Sequence, residues 1–277
     1  KNPPLLYNLA ELQNDCSRMF KISPDETLRV VQELYERKLV TYPRTDARVL
    51  STAAAKEIRR NVAGLKSFAP LSGLAGEVLE SSACETIRKS RYVNDKQITD
   101  HYALVPTGQG LAALKSLPPL SAKVYEVIAR RFLAIFLPPA VYQKTSLEMV
   151  RMGEHFFSTF KVLTDPGYLR AQPPQNRKKD GDGEGETDRT DADSPEFLQM
   201  LASLRKGQKL AVRGFSIKEG ETSPPKRYTS GSMILAMENA GQLIEDEELR
   251  AQNKGSGIGT SATRAEILKK LVHIQYL

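Results

Sequence analysis

Two helices are predicted near the start of the chain, because apolar residues recur there at helical spacing. The segments 9–20 and 24–39 each carry their apolar side chains on one face. Ser23 is a good N-cap for the second helix, Pro24 takes its first position, and Glu26 completes a capping box. Two short helices around a tight turn, followed by an extended stretch, indicate a helix-turn-helix arrangement, which is common in DNA-binding proteins.

Further along the chain the pattern changes from helical spacing to alternation and back. Helices are predicted at 51–64 and at 124–137, the latter ended by two prolines, with a strand around 103–105 between them. Alternating apolar and polar residues then predict strands at 145–150, 155–163 and 209–217. Two helices follow: one places Met233, Ile234, Met237 and Leu243 in contact positions, and one is capped by Thr260 or Ser261.

This order of elements predicts a multi-domain α+β protein that is mainly α, with helix-turn-helix or winged-helix-like elements. The predicted parts are a helical domain at 1–138, a β-rich segment at 139–200 and a helical piece at 201–277. A polar stretch rich in Gly and Asp at 173–195 predicts a flexible linker. The chain stops without a helix stop signal, so we expect that it ends inside a domain.

The net charge says more about the binding partner of this protein than the amino-acid composition does. The 277 residues carry a formal net charge of +7. Because the acidic linker holds four basic and seven acidic residues, a net of −3, the rest of the chain carries +10. A basic body favours a polyanionic partner over a neutral small substrate.

The cysteine count and the hydropathy of the chain indicate the cellular compartment in which the protein is expected. Cys16 and Cys84 are the only cysteines, too few for a disulfide framework and without the CxxC pair of a zinc site. Two free thiols in a reducing cytoplasm are therefore expected. No apolar run of about 18 residues is present to span a membrane.

The stretch KLVTYPRTDARVLS, at 38–51, carries the candidate chemistry. Pro43 pushes Tyr42 into an extended conformation, so Tyr42 and Arg44 can face one target. A phenol has a pKa near 10, and a guanidinium favours its anion and also suits a phosphate. The pair suggests attack on a phosphodiester. The alternative is a half-buried strand tyrosine beside a solvated arginine.

Four motifs in this chain resemble those of type IA DNA topoisomerases, close to the topoisomerase III branch. They read YERKLVTYPRTDARVLS, TDHYALVPTGQG, TSPPKRYTSGSMILAMENAG and GSGIGTSATRAEIL, in the family's order and spacing. The resemblance covers nearly the whole chain except the acidic linker. It implies a helical catalytic domain at 1–138, a partial arch domain at 139–200 and a truncated gate-supporting domain at 201–277.

The resemblance also implies an activity and three catalytic residues. Tyr42 matches the nucleophile that cuts single-stranded DNA and keeps the 5′-phosphate as a phosphotyrosine ester, which allows relaxation or decatenation without ATP. Arg44 matches the arginine that positions the tyrosine and the scissile phosphate, a role of charge stabilisation. His101 matches the family histidine near the cleavage site, a phosphate contact or a proton-transfer partner.

Five further residues are implied to bind DNA. Asp46 fits the family's RTD pattern and is expected to orient Arg44, although a simple turn residue is an equal alternative. Thr263 and Arg264 stand at the start of a predicted helix, where the backbone N–H groups suit a phosphate. Lys226 and Arg227 are expected to bind the DNA backbone.

Two departures from the family pattern and one omission limit what carries over. Ser230 stands where the family usually has an acidic residue, and Tyr102 follows His101 where a second histidine is common. Nothing in the chain resembles the TOPRIM domain that holds Mg²⁺ in the complete enzyme, so no metal is expected here. We expect a monomeric fragment that binds single-stranded DNA, without a membrane, in the bacterial cytoplasm at the nucleoid, and that is inactive alone.

Two other classes remain open at this stage. A non-catalytic winged-helix module would bind DNA and perform no chemistry. A tyrosine recombinase would need several arginines and a histidine ahead of a tyrosine near its end, whereas here Tyr42 comes first.

Overall fold

The computed structural model describes residues 1–172, 195–212, 214, 217, 219–252 and 257–277. Contacts between Cα atoms divide the chain into two compact units. The larger unit comprises 2–139, 167–173 and 227–277, and the smaller comprises Lys1, 140–166 and 174–226. The mainly helical α+β class is confirmed, since helices build the larger unit and a strand pair lies in the smaller. The three-part division at 138 and 200 stays a prediction, and 173–194 of the predicted linker lie outside the described residues.

The larger unit begins with the two predicted helices, α1 (Leu9–Phe20) and α2 (Pro24–Glu36). Asn8 caps α1 by accepting a hydrogen bond from Glu11 N, and Ser23 caps α2 by accepting one from Glu26 N at 3.1 Å. The capping box expected for α2 is wrong: within the described chain, the Glu26 carboxylate lies 3.8 Å from the Arg29 guanidinium instead of returning to Ser23.

Four helices follow in the larger unit: α3 (Thr52–Leu65), α4 (Ser72–Glu80), α5 (Ala83–Thr86) and α6 (Pro119–Ala134). The Ser51 side chain caps α3, so Ser51 stands just before this helix and not inside it, as the predicted bounds 51–64 have it. Helix α6 begins earlier than its apolar spacing indicates, because Pro119 provides a helix start ahead of the first apolar residue. The core of this unit is apolar and includes the fully buried Leu9, Leu34, Ile58, Ile128 and Phe132.

The strand predicted around 103–105 forms only isolated bridges. Leu104 pairs with Tyr7, and Pro106 pairs with Val40, both in antiparallel fashion. These short pairings bring three extended segments side by side, at 3–9, 40–50 and 101–107. The segment 40–50 contains the candidate nucleophile and is called the tyrosine segment below.

A β-hairpin forms the ordered part of the smaller unit. Strand β1 (Val141–Arg151) pairs antiparallel with β2 (Glu154–Asp165), with Thr145 opposite Phe160. Its two turn residues, Met152 and Gly153, both have positive φ angles, as a two-residue hairpin loop matching the strand twist requires. The strands predicted at 145–150 and 155–163 are confirmed, and both extend beyond the predicted bounds.

The third predicted strand, at 209–217, is wrong for those of its residues that the structure describes. Residues 209–212, 214 and 217 are described and belong to no strand, while the others in this range lie outside the described residues. Alternation predicts a strand only when a partner can satisfy its backbone N–H and C=O groups, and no described residue pairs with 209–212. Helix α7 (Pro195–Ser203) precedes this stretch in the same unit.

Three helices complete the larger unit: α8 (Ser230–Glu238), α9 (Glu247–Gln252) and α10 (Arg264–His273). Helix α8 packs closely on α1, because a Cβ at Gly231 would lie only 2.8 Å from Asn14 Cα. The N-cap of α10 is Thr263, so the predicted caps Thr260 and Ser261 are wrong. No helix in the described part of the chain is both long and apolar enough to cross a membrane.

Candidate active site

Backbone hydrogen bonds tie the tyrosine segment to both of the other segments. Thr41 N donates to Val105 O at 3.0 Å, and Ala103 N donates to Val49 O at 2.9 Å. Leu9 N, at the start of α1, donates to Thr45 O at 3.1 Å. A segment bonded to two others has little freedom to shift, which gives the residues on it defined positions.

Two threonine side chains add bonds that the sequence reading missed. The Thr41 hydroxyl donates to Ala103 O at 3.1 Å and accepts from Val105 N at 2.9 Å. The buried Thr45 hydroxyl donates to His101 O at 2.8 Å and accepts from Ala47 N. The available signal was a threonine directly before the candidate nucleophile, Thr41, and a second one, Thr45, directly between the charged Arg44 and Asp46. They join the Tyr42 and His101 motifs.

Burial alternates along the tyrosine segment with a period of two residues. Pro43, Thr45 and Ala47 are buried, whereas Arg44 and Asp46 are exposed. This agrees with an extended backbone whose alternate side chains point to opposite sides. Within the described residues, Arg44 makes no hydrogen bond or ion pair, so its five N–H donors are available to a ligand.

Tyr42 is half-buried and lines an open cleft of about 550 Å³. Its ring centroid lies 4.4 Å from that of His101, with the two planes tilted by 45°. The Tyr35 ring packs against it edge-on at 5.4 Å. The Tyr42 hydroxyl has no hydrogen-bond partner among the described residues. The phenol is therefore fixed by its neighbours and reachable from solvent.

The same cleft contains two further phenols, those of Tyr35 and Tyr102. Burial raises the pKa of Tyr102, which disfavours the anion that a nucleophile needs. Tyr42 is a better candidate nucleophile than Tyr102, because the exposed Arg44 lies on the same segment and the Tyr42 ring contacts that of the exposed His101.

The other predicted site residues do not gather around Tyr42 as one cluster. Arg264 is buried, and its Nη1 donates to the Asp46 carboxylate at 3.0 Å. Thr263 is exposed at the start of α10, where its hydroxyl bonds to Thr260. Lys226 and Arg227 are both exposed, in a stretch without regular secondary structure, and fall in different units.

A polar network that the sequence reading did not anticipate surrounds the Asp46–Arg264 pair. The buried Asn8 amide donates to Asp46 O at 3.2 Å and to the Glu238 carboxylate at 2.6 Å. Burial raises the pKa of Glu238. The positive charge of Arg264 offsets part of this rise, and the negative charge of Asp46 adds to it. No signal in the sequence pointed to Glu238, because a half-buried acid at a helix end has no local pattern.

No group of three or more His, Cys, Asp or Glu side chains in the described ranges is arranged to hold a metal ion. Each cysteine is buried, and burial raises the pKa of both thiols, that of Cys16 to about 12. The ionisable groups that line the cleft are phenols, the His101 imidazole, the Lys38 ammonium and the Glu36 carboxyl, while the exposed Arg44 lies on the tyrosine segment outside this lining.

Comparison with known proteins identifies the class to which such a chain belongs. The sequence model of the DNA topoisomerase family matches residues 1–277, and the chain belongs to this family. It is similar to DNA topoisomerase 3 of Bacillus licheniformis and of Bacillus subtilis, each 36% identical over 97% of this chain. DNA topoisomerase 3 of Staphylococcus saprophyticus is 33% identical over 98% of it. The predicted resemblance to the type IA family and its topoisomerase III branch is confirmed.

The chain spans about a third of the relatives it matches, 35% of the length of each of these three. Its fold is similar to that of full-length topoisomerase I from Thermotoga maritima, with a TM-score of 0.55 and 22% identity. That match covers 98% of this chain and 38% of the other. The fold is therefore shared along nearly all of the chain.

Proposed function

We propose that this chain carries the nucleophilic tyrosine of a type IA DNA topoisomerase, which cleaves and religates single-stranded DNA through a 5′-phosphotyrosine intermediate. The proposal is supported above all by the contact of the Tyr42 ring with His101, at 4.4 Å between centroids, at an open cleft. A purely structural tyrosine has no need of an imidazole neighbour and a solvent-facing hydroxyl.

Cleavage exchanges one phosphodiester for another. The Tyr42 oxygen attacks the phosphorus, the bond between phosphorus and the 3′ oxygen breaks, and the strand leaves with a free 3′-hydroxyl. The phenol proton is lost and a proton is gained by the leaving oxygen, so charge balances. Religation is the reverse attack by that hydroxyl, and it needs no ATP because the ester conserves the bond energy.

Each neighbour of Tyr42 has a part in this step. Arg44 is exposed and unpaired among the described residues, so its planar guanidinium can hold two oxygens of the scissile phosphate and stabilise the charge of the transition state. His101 lies beside the phenol and is suited to a phosphate contact or to the proton transfer. In the complete enzyme that the resemblance implies, Mg²⁺ would be held by the TOPRIM domain.

The partner in this proposal is single-stranded DNA, bound through the basic surface and the phosphate contacts of Arg44. The protein would work as a monomer in the bacterial cytoplasm, where it relaxes or decatenates DNA. By itself the 277-residue chain is expected to bind single-stranded DNA weakly. In a relaxation assay with Mg²⁺, the chain alone should leave supercoils intact, and robust turnover would show that the TOPRIM domain is dispensable.

A labelling experiment tests the chemistry and its polarity. The chain is joined to a TOPRIM domain, incubated with single-stranded DNA and Mg²⁺, and denatured. A DNA labelled at its 3′ end should then travel with the protein, whereas a 5′ label should appear in a shorter free strand. The reverse pattern would indicate a 3′-phosphotyrosine, as in a recombinase, and would overturn the proposal.

Three tyrosine variants complete this experiment. Tyr42→Phe should abolish the adduct because it removes the attacking oxygen. Tyr35→Phe and Tyr102→Phe remove the other hydroxyls of the same cleft and should keep the adduct. Equal DNA retention by all variants without any adduct would support the non-catalytic winged-helix module.

A further inference from the structure

Arg264 is buried and forms its hydrogen bonds within the protein instead of presenting them to a ligand. Its side chain is only 6% exposed, and three of its nitrogens are occupied. Nη1 donates to Asp46 Oδ1 at 3.0 Å, Nε to Ile258 O at 3.2 Å and Nη2 to Gly259 O at 3.2 Å. A guanidinium with its fork filled in this way has little capacity left to bind a DNA phosphate.

The helix and the turn that surround Arg264 are also tightly packed. Helix α10 begins at Arg264, and its buried Leu268 packs with Ile234 and Met237 of α8 and with Ala10 of α1. The two carbonyls that Arg264 holds belong to the turn just before α10, where a Cβ at Gly257 would lie 2.7 Å from a backbone oxygen of Glu238. Arg264 therefore cannot follow Asp46 if the tyrosine segment shifts.

Asp46 is held from two sides. Its carboxylate, which is half exposed, meets Arg264, while its backbone oxygen accepts the hydrogen bond from Asn8. Asn8 in turn is almost fully buried, caps α1 and donates to the Glu238 carboxylate. The tyrosine segment is thus tied by its own side chain to the helices α8 and α10.

We propose that the Asp46–Arg264 ion pair is a positioning contact that sets where Tyr42 stands for attack. Asp46 lies four residues after Tyr42 on the tyrosine segment, on the same exposed side as Arg44. The inference rests on the proposed function and gives Arg264 a role other than the DNA contact that the sequence resemblance implied. It makes Asp46 and Arg264 positioning residues, because neither meets the reacting atoms.

A positioning contact changes the rate of attack more than the affinity for DNA. A displacement of about 1 Å in a reacting group can cost about 100-fold in rate, even when the substrate still binds. Loss of a phosphate contact has the opposite signature: DNA binding weakens, and its dependence on salt becomes less steep. The two roles of Arg264 are therefore separable by measurement.

The test compares Asp46→Ala, Arg264→Lys and the double variant in the complete protein that contains this chain. Adduct formation with single-stranded DNA is timed at saturating DNA, and the Kd for the same DNA is measured at several salt concentrations. We expect each single variant to slow adduct formation about tenfold to 100-fold with Kd changed less than about twofold. The double variant should lose little more than either single one, because both changes remove one contact.

A second ion pair that involves a residue of helix α10 serves as the control. Lys269 of α10 lies 3.5 Å from Asp25 of α2, and both side chains are well exposed. Asp25→Ala and Lys269→Gln should leave the rate of adduct formation unchanged. If Arg264→Lys fails to fold, Asp46→Ala decides alone, with its thermal midpoint measured first, because the buried Arg264 guanidinium loses its counter-charge in this variant.

The outcomes separate this inference from the proposed function. If the unaltered protein forms an adduct and Asp46→Ala forms it at the same rate, the positioning role is overturned and the proposed function stands. Arg264→Lys with a weaker Kd and an unchanged rate at saturating DNA would make Arg264 a phosphate ligand, because lysine keeps the charge but loses the bidentate fork. If the unaltered protein forms no adduct, the proposed function fails and this inference fails with it.

Discussion

The hydroxyl of Thr45 donates a 2.8 Å hydrogen bond to the backbone oxygen of His101. This bond joins the segment that carries the candidate nucleophile to the segment that carries the imidazole beside it. Since the same hydroxyl accepts from Ala47 N, it satisfies backbone groups on both segments. The Thr45 hydroxyl thus links the two segments whose Tyr42 and His101 rings meet.

Thr45→Val should loosen this junction. Valine has a similar shape but leaves the carbonyl of His101 and the N–H of Ala47 without their partner, which costs about 1–3 kcal/mol in the free energy of unfolding. Urea unfolding of the chain measures this loss. Thr86→Val is the control, because the hydroxyl of Thr86 is exposed and bonds only to Ala83 O of its own turn. Equal stability of Thr45→Val and the unaltered chain would show that the junction is held elsewhere.

Arg44→Ala should remove catalysis without affecting the fold. The side chain is exposed and has no partner in the described chain, so the thermal midpoint should stay unchanged. Adduct formation should fall about 100-fold to 1,000-fold, the usual loss when a charge-stabilising donor is removed. Arg60→Ala, another exposed arginine of the same unit, should retain most of the activity. An unchanged rate in Arg44→Ala would remove Arg44 from the mechanism.

Gly64→Ala should be strongly destabilising, although it replaces glycine by the best helix former. A Cβ at Gly64 would lie 2.0 Å from the backbone oxygen of Gly108, which is in the His101 motif, so helix or loop would have to move. We expect a loss of at least about 2 kcal/mol in the free energy of unfolding. Gly76→Ala in α4 is the matched control: nothing lies within 4 Å of its Cβ, and it should stabilise by about 0.5–1 kcal/mol.

The half-buried Glu238 should make stability depend on pH. Burial raises the pKa of Glu238 above its ordinary value of 4.5, so the folded chain retains a proton there that the unfolded chain has released. Stability from this group is therefore lost as the pH rises from 4.5 through the raised pKa, by at most about 1.4 kcal/mol per pH unit for one proton.

Glu238→Gln should remove this dependence while keeping an oxygen that accepts from Asn8. Urea unfolding of both proteins across this pH range gives two curves that should converge at low pH and separate as the pH rises, with the variant more stable. Parallel curves would mean that Glu238 does not retain its proton in the folded chain. Glu77 offers a contrast, because its hydrogen bonds with Arg170 lower the pKa of that exposed carboxyl.

Local signals predicted the helices well. The bounds of α1, Leu9–Phe20, match the predicted segment, and the cap Ser23 occurs where expected. Such features depend on side chains within a few residues of one another, which the sequence displays directly. The third strand and the caps Thr260 and Ser261 failed for the opposite reason, since a strand needs a partner and a helix start depends on what the chain before it contacts.

By itself, the sequence determined the chemistry that is available: a phenol preceding a proline, an arginine two residues on, a histidine in a separate motif, and the helices that carry them. Only the tertiary structure decided which of these meet. It joined Tyr42 to His101 through Thr45, and it turned Arg264 inward to Asp46 instead of outward to a ligand. The physical reason is that the composition of a motif is local, whereas burial and the choice of hydrogen-bond partner are set by segments far apart in the chain.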